Sequence, residues 1–214
     1  MKKSFDHSPS PISQPQLAPD ASAADCVAWY FDDFLPAWAE RTRIPNCIGF
    51  ADALDANGRP NQENRRTVLA QARLLYTFAH LALKSENLVY YNAAHVARDA
   101  LEYFRRSPGL YCHAVTKTGL STGDPNETYA TSYDQSFVIL GLSTWGQLHP
   151  DEDVSAELEA CWSAIETNLR DPVTGLVLEH DGVTDPTAEN APNRAQNPHM
   201  HLYCLLYTSD AADE

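Results

Sequence analysis

A helix that is apolar almost all the way round must be covered on every side, and this chain carries two such segments. The first runs from about Asn64 to Lys84. Leu69, Ala72, Tyr76, Ala79 and Leu83 form one stripe, and Leu74, Leu75, Phe78 and Leu81 widen it. The second, about Tyr129 to Leu148, has Asp134 as its only charge. Each is followed by an amphipathic segment. About Asn87 to Arg106 has a polar side with Asp99, Glu102 and Arg105, while Val154 to Arg170 buries Leu158, Cys161, Trp162, Ile165 and Leu169. An earlier helix over roughly 24–41 carries Trp29, Tyr30, Phe34, Leu35 and Trp38, with Pro36 as a kink or break.

Turn signals separate these pairs. Cys47 to Pro60 ends in the hairpin dipeptide Asn57-Gly58, Gly109 to Thr122 turns at Lys117-Thr118-Gly119, and Asp171 to Glu179 gives a third turn and strand. Buried helix, outer helix and hairpin thus alternate at intervals of about 60 residues. That order predicts an all-α toroid or solenoid of two concentric layers, with the hairpins gathered at one end. A conventional helical bundle does not account for hairpins recurring between pairs.

Fifteen Lys and Arg against 29 Asp and Glu leave a net charge of -14, which repels nucleic-acid backbones and anionic membranes. No apolar run is long enough to span a bilayer. Residues 1–22 are polar and proline-rich and read as a disordered leader. Ala21-Ser22-Ala23 resembles a cleavage site, but the apolar segment that should precede it is replaced by Ser, Pro and Gln, which argues against a signal peptide. Cys26, Cys47, Cys112, Cys161 and Cys204 are scattered, which argues against a disulfide framework or a structural zinc site and for a cytoplasmic protein with reduced thiols.

The stretch Asn193 to Tyr203 concentrates polar chemistry. Asn197 is a favoured N-cap and Pro198 suits the first helical position, which places His199 and His201 in the first turn. The positive end of the helix dipole disfavours imidazolium there, so a neutral ring is a ready proton acceptor. Two incidental surface histidines are the alternative.

Three motifs then stand in order: Arg66-Thr-Val-Leu-Ala-Gln-Ala-Arg73, Tyr133-Asp-Gln-Ser-Phe137 and Arg194-Ala-Gln-Asn-Pro-His-Met-His201, preceded by Leu35-Pro-Ala-Trp38 and Gly49-Phe50. Over Ala24 to Tyr203 the chain resembles the N-acylglucosamine 2-epimerase family of sugar epimerases and isomerases. The resemblance implies an (α/α)6 barrel with an aldose in its central cavity, residues 23–203 forming its N-terminal half. It implies ring opening, removal of the C2 proton, an enediolate, and return of the proton to C2 or C1 by histidines, with no metal or cofactor. Position by position, His201 matches a catalytic histidine. Arg73, Tyr133 and Asn197 match substrate contacts, the guanidinium stabilising the enediolate. Arg73 shares a helical stripe with Arg66, Leu69, Tyr76 and His80. Asn197 and His201, four apart, share one face, and His199 should turn to a structural partner. Two departures, Leu69 for an aromatic residue and Ile48 for a glycine, bear on substrate identity.

The family's barrel has six helix pairs, and about three are present here, without the two catalytic histidines of the second half. The resemblance admits a homodimer at full length. Cys204 to Glu214 reads instead as the in-frame translation of a sequencing-library adapter, so the expectation is that the natural reading frame continues. The chain as written is expected to expose apolar helix faces, to be poorly soluble and to lack turnover. Two other functions remain open. A glycoside or unsaturated-uronyl hydrolase on the same fold would need carboxylates, with Asp134 the one candidate. A non-catalytic helical-repeat binding module would need neither Arg73 nor His201.

Overall fold

The computed structural model describes residues 16–61, 63–85 and 87–210, the last six by backbone alone. Most of the leader (residues 1–15) and residues 211–214 of the tail lie outside the described residues. The helices are α1 (Ala23–Ala28), α2 (Leu35–Thr42), α3 (Val68–Ser85), α4 (Leu88–Leu101), α5 (Pro125–Thr128), α6 (Ser132–Leu148), α7 (Ser155–Asn168) and α8 (Gln196–Asp210). Two short strands, β1 (Arg66–Thr67) and β2 (Ala114–Val115), pair antiparallel with Arg66 opposite Val115.

The two layers expected from sequence are present. The nearly uncharged helices α3 and α6 pack side by side, and α8 continues the row against α6. The amphipathic α4 packs on α3 and α7 on α6. Arg98 on α4 joins the outer pair by donating to Glu157 on α7 at 2.8 Å. Val68, Ala72, Leu75 and Phe78 of α3 meet Val138 and Leu142 of α6 in a core with no solvent exposure at these positions. Short links join α3 to α4 and α6 to α7 at one end. All the long connections lie at the other, beside the N-termini of α3, α6 and α8.

One device recurs in those connections. Gln71, buried in α3, accepts from the Phe50 N–H and donates to the Phe50 carbonyl, both at 3.0 Å. Gln135 in α6 does the same with both backbone groups of Tyr111 at 2.9 Å. A side-chain amide matches one donor and one acceptor, so each glutamine pins the extended backbone of an aromatic residue onto the inner helix that follows it. Gly49, at φ +50°, makes room for this: a Cβ there would lie 2.1 Å from Gln71 Oε1. Repetition of the device, without repetition of sequence, is direct support for a repeating architecture.

Two expectations are corrected. The second helix begins at Val68, not Asn64. Thr67 accepts from the Ala70 N–H and is itself held by Asp52, to whose carboxylate its N–H and O–H donate at 2.9 and 2.8 Å. This cap ends the helix and leaves Arg66 in β1, fully buried and not on the stripe of Arg73. Second, Pro36 does not break its helix: α1 passes into a π-helical turn over Trp29–Phe34 before α2. The Leu35 N–H reaches back to the Tyr30 carbonyl, the widened register that accommodates a missing proline donor. The hairpin expected at Asn57-Gly58 is present, with Leu54 bridged antiparallel to Pro60, and it closes as a three-residue loop. Asp55 exchanges bonds with Arg59 and Gly58 at 2.7 and 2.9 Å, and Gly58 sits at φ +73°. The Lys117-Thr118-Gly119 turn has the same form, with Gly119 at φ +83°.

Candidate functional site

The N-terminal ends of α3, α6 and α8 converge, and side chains from all three meet around Phe137. The Arg73 guanidinium lies over the Phe137 ring at 5.3 Å, close enough for cation–π attraction. His201 approaches the same ring at 5.0 Å and stands edge-on to Tyr133 at 5.1 Å. Tyr133 and Phe137, one helical turn apart, are 5.2 Å from each other. Arg73 and Asn197 are exposed, whereas Tyr133, Phe137 and His201 are half-buried. The exposed face of α3 continues from Arg73 through Tyr76 and His80, whose rings stack at 5.9 Å. Aromatic faces beside a guanidinium suit a polyhydroxylated ligand, whose C–H faces stack while its oxygens accept N–H donors.

Of the four residues singled out from sequence, Arg73, Tyr133 and His201 are thus brought together. Asn197 lies one turn before His201 in α8, but it is not the N-cap. The helix starts at Gln196, because Arg194 is anchored upstream and the Ala195 carbonyl is taken by His199 Nδ1 at 3.0 Å. His199 turns to a structural partner: its Nε2 accepts the Val177 N–H at 2.9 Å. Its two bonds require Nδ1–H and a lone pair on Nε2, the neutral ring expected at a helix start.

Phe137 stands at the centre of this cluster, although in the sequence it only closed a motif and was given no role. Its spacing of four from Tyr133 is the signal that could have found it. His113 had no such signal. It comes from the loop before β2, and its Nδ1 bonds Asp134 Oδ2 at 2.7 Å. Its Nε2 faces Arg65 Nη2 at 3.1 Å, while Arg65 also pairs with Glu127 at 2.5 Å. The hydrogen bond that His113 donates to Asp134 raises the His113 pKa against the opposing effect of burial. Asp134 itself is 1 % exposed, so the carboxylate on which a hydrolase would depend is engaged inside the fold. A cavity of about 770 Å3 lies elsewhere, between α2 and α4, and is lined by Glu40, Arg43 and Cys47 but by none of the converging residues. Among the described residues no cluster of three metal-ligating side chains occurs and no helix is long and apolar enough to cross a membrane.

Similarity to known proteins follows the same outline. A curated mannose-6-phosphate isomerase of Rhizobium meliloti (strain 1021) is 24% identical over an alignment of 199 residues that covers 89% of this chain and 47% of that protein. The structure of cellobiose 2-epimerase from Spirochaeta thermophila DSM 6192 superposes with a TM-score of 0.72 at 21% identity, over 87% of this chain and 48% of that one. A D-mannose isomerase superposes at 0.65 and 22% identity, over 83% and 46%. The chain therefore spans about half the length of the relatives it matches, and its all-α architecture is that of their (α/α)6 barrels at partial coverage. A sequence model of the N-acylglucosamine 2-epimerase (GlcNAc 2-epimerase) family matches residues 49–213, and the chain belongs to that family.

Proposed function

We propose that this chain supplies one half of the active site of a sugar isomerase or 2-epimerase acting on an aldose. The convergence of Arg73, Tyr133 and His201 from three successive inner helices carries this reading. The names of the relatives support it, since isomerases and epimerases of mannose-type and glucose-type sugars recur among them.

In this reading the open-chain aldose lies along the Tyr133–Phe137 surface. His201 exchanges the proton at C2 or the neighbouring oxygen, its neutral ring serving as base and its protonated ring as acid. Removing the C2 proton places negative charge on the carbonyl oxygen. Arg73, fixed over Phe137, offers two parallel N–H donors to that developing enediolate. Tyr133 and Asn197 hold hydroxyl groups. Return of the proton to the opposite face of C2 gives the epimer, and delivery to C1 gives the ketose.

The test is exchange of the C2 hydrogen of D-mannose with solvent D2O by a version extended to the length of its relatives. His201→Ala should lower exchange by roughly 10²–10⁴-fold, the contribution of one general acid–base. Arg73→Ala should lose about 10²-fold or more through lost stabilisation of the enediolate. Exchange that survives His201→Ala undiminished, or release of a reducing end from a glycoside instead of exchange, would overturn the proposal.

A further inference from the structure

We propose that Arg194 and His199 are positioning residues that fix His201 against Tyr133 through a single hairpin, residues 171–181. This rests on the sugar isomerase reading for its functional meaning but on the geometry below for its substance. The hairpin is tied to the start of α6. Ser132 donates its hydroxyl to the Leu178 carbonyl at 2.5 Å and its N–H to the Glu179 carbonyl at 3.1 Å. Ala130 donates to the Asp181 carboxylate at 2.8 Å, and the Asp181 N–H returns to the Ala130 carbonyl at 3.1 Å. Ser132 is the immediate neighbour of Tyr133, so the hairpin is fastened where that ring leaves the backbone.

The same hairpin is tied to the start of α8 by two anchors. Arg194 forks its guanidinium onto the Asp171 carboxylate and the Thr174 hydroxyl. Asp171 is 2 % exposed, and the Thr174 O–H, the Val173 N–H and Arg194 together hold its carboxyl far below the usual range. One turn further on, His199 accepts the Val177 N–H and donates to the Ala195 carbonyl. His199 and His201, two residues apart, lie on widely separated faces of one helix. One face is therefore locked to the hairpin while the other presents His201 to Tyr133 and Phe137. With both ring nitrogens engaged, His199 cannot itself carry protons to substrate without breaking its lock. Within the described residues α8 packs mainly on α6. Its rotation therefore depends on these anchors more than the rotation of α3 or α6 depends on any one loop.

The experiment is NMR of the 214-residue chain with isotope-labelled histidine. Ring currents from Tyr133 and Phe137 should displace the His201 Cε1–H signal from the position of a free imidazole. That displacement should be lost in Arg194→Ala and in His199→Ala. It should be retained in His199→Gln, whose amide can accept from Val177 and donate to Ala195. The signals of His95 and His149, packed against Trp145 at the far end of α6, should stay in place and report that the fold persists. Should both alanine variants lose those signals too, Thr174→Val decides. It removes one arm of the fork and leaves the Asp171 pair, and should give a partial loss confined to His201. An unmoved His201 signal in folded Arg194→Ala and His199→Ala, or in Thr174→Val where those do not fold, overturns the proposal. A His201 idle in C2 exchange would sink the catalytic reading instead, leaving the spectrum as expected.

Discussion

The two ends of α6 each carry histidines among aromatic rings, yet only one end is built like a site. At the C-terminal end His149 stacks on Trp145 at 3.8 Å, and its Nε2 lies 2.9 Å from the Tyr91 hydroxyl and 3.2 Å from His95 Nε2. His95 in turn stands edge-on to Trp145 at 4.7 Å. His149 Nε2 faces Tyr91 and His95, His149 Nδ1 and Trp145 Nε1 are buried without a hydrogen-bond partner, and burial together with His95 pushes the His149 pKa down. At the N-terminal end Tyr133, Phe137 and His201 meet through ring faces and edges beside an exposed guanidinium. The difference lies in direction rather than composition. A histidine cluster becomes a candidate site when its polar groups open outward next to a charge that can bind something.

The largest expected effect separates packing from binding. Trp145 is 2 % exposed, and Trp145→Ala should cost about 3–5 kcal/mol of stability, the cost of emptying a large aromatic site. Phe137 is half-buried, so Phe137→Ala should cost about half as much, roughly 1.5–2.5 kcal/mol. Urea unfolding gives both values. Affinity for D-mannose should follow the opposite order, being lost in Phe137→Ala and kept by whatever Trp145→Ala protein remains folded. Equal losses at the two ends would break the comparison.

Midway between the ends, Gly141 lets α6 approach α3. A Cβ there would come within 2.9 Å of the Ala72 carbonyl and 3.3 Å of Leu75 Cδ2. Gly141→Ala gains about 1 kcal/mol of helix propensity but forces the inner helices apart at a typical cost of 1–3 kcal/mol. The net should be a loss of about 1 kcal/mol in urea unfolding. The resulting shift of α3 relative to α6 should register at Arg73 and Phe137, on opposite sides of that contact, before it registers at His149. A net gain in stability would show that the helices are less tightly apposed than their backbones indicate.

What could be read from sequence was periodic or local. The scarcity of charge in α3 and α6 followed from burial of most of each helix, although α3 keeps the exposed face of Arg73, Tyr76 and His80, and Gly58, Gly119 and Gly175 marked turns because each adopts a positive φ. The order of Arg73, Tyr133 and His201 was legible because each lies in a short motif. Partnerships across the chain were not. Asp134 stood out as a charge in an apolar helix, but its partner His113 lies 21 residues earlier in a loop, and nothing local joins them. Arg66 was misplaced for the same reason. Its spacing of seven from Arg73 fits a helical stripe, whereas the Asp52–Thr67 bond that ends the helix is made across 15 residues. The paired bonds of Gln71 and Gln135 to hairpin backbones were equally hidden, although both glutamines sat inside motifs already singled out.

The smallest expected effect is a difference in sign with pH. His113 faces Asp134, Arg65 and Glu127, and the bond it donates to Asp134 raises its pKa in the fold. A base held above its unfolded value adds stability that is complete below about pH 6.5 and fades as pH rises through the folded value. His149 faces His95, Tyr91, Trp145 and Glu152, and burial followed by His95 lowers its pKa. Its contribution is complete above about pH 6.5 and fades as pH falls through the folded value. Asp134→Asn keeps a hydrogen-bonding side chain but removes the charge, so its deficit against the parent should be larger at acidic than at alkaline pH. His149→Gln should show the reverse, because the parent itself weakens at that end on acidification. Thermal melts of the three chains at a series of pH values read both deficits directly. If both changed in the same direction, the two ends of α6 would be electrostatically alike, and the contrast between an outward-facing site and an inward-facing histidine cluster would rest on packing alone.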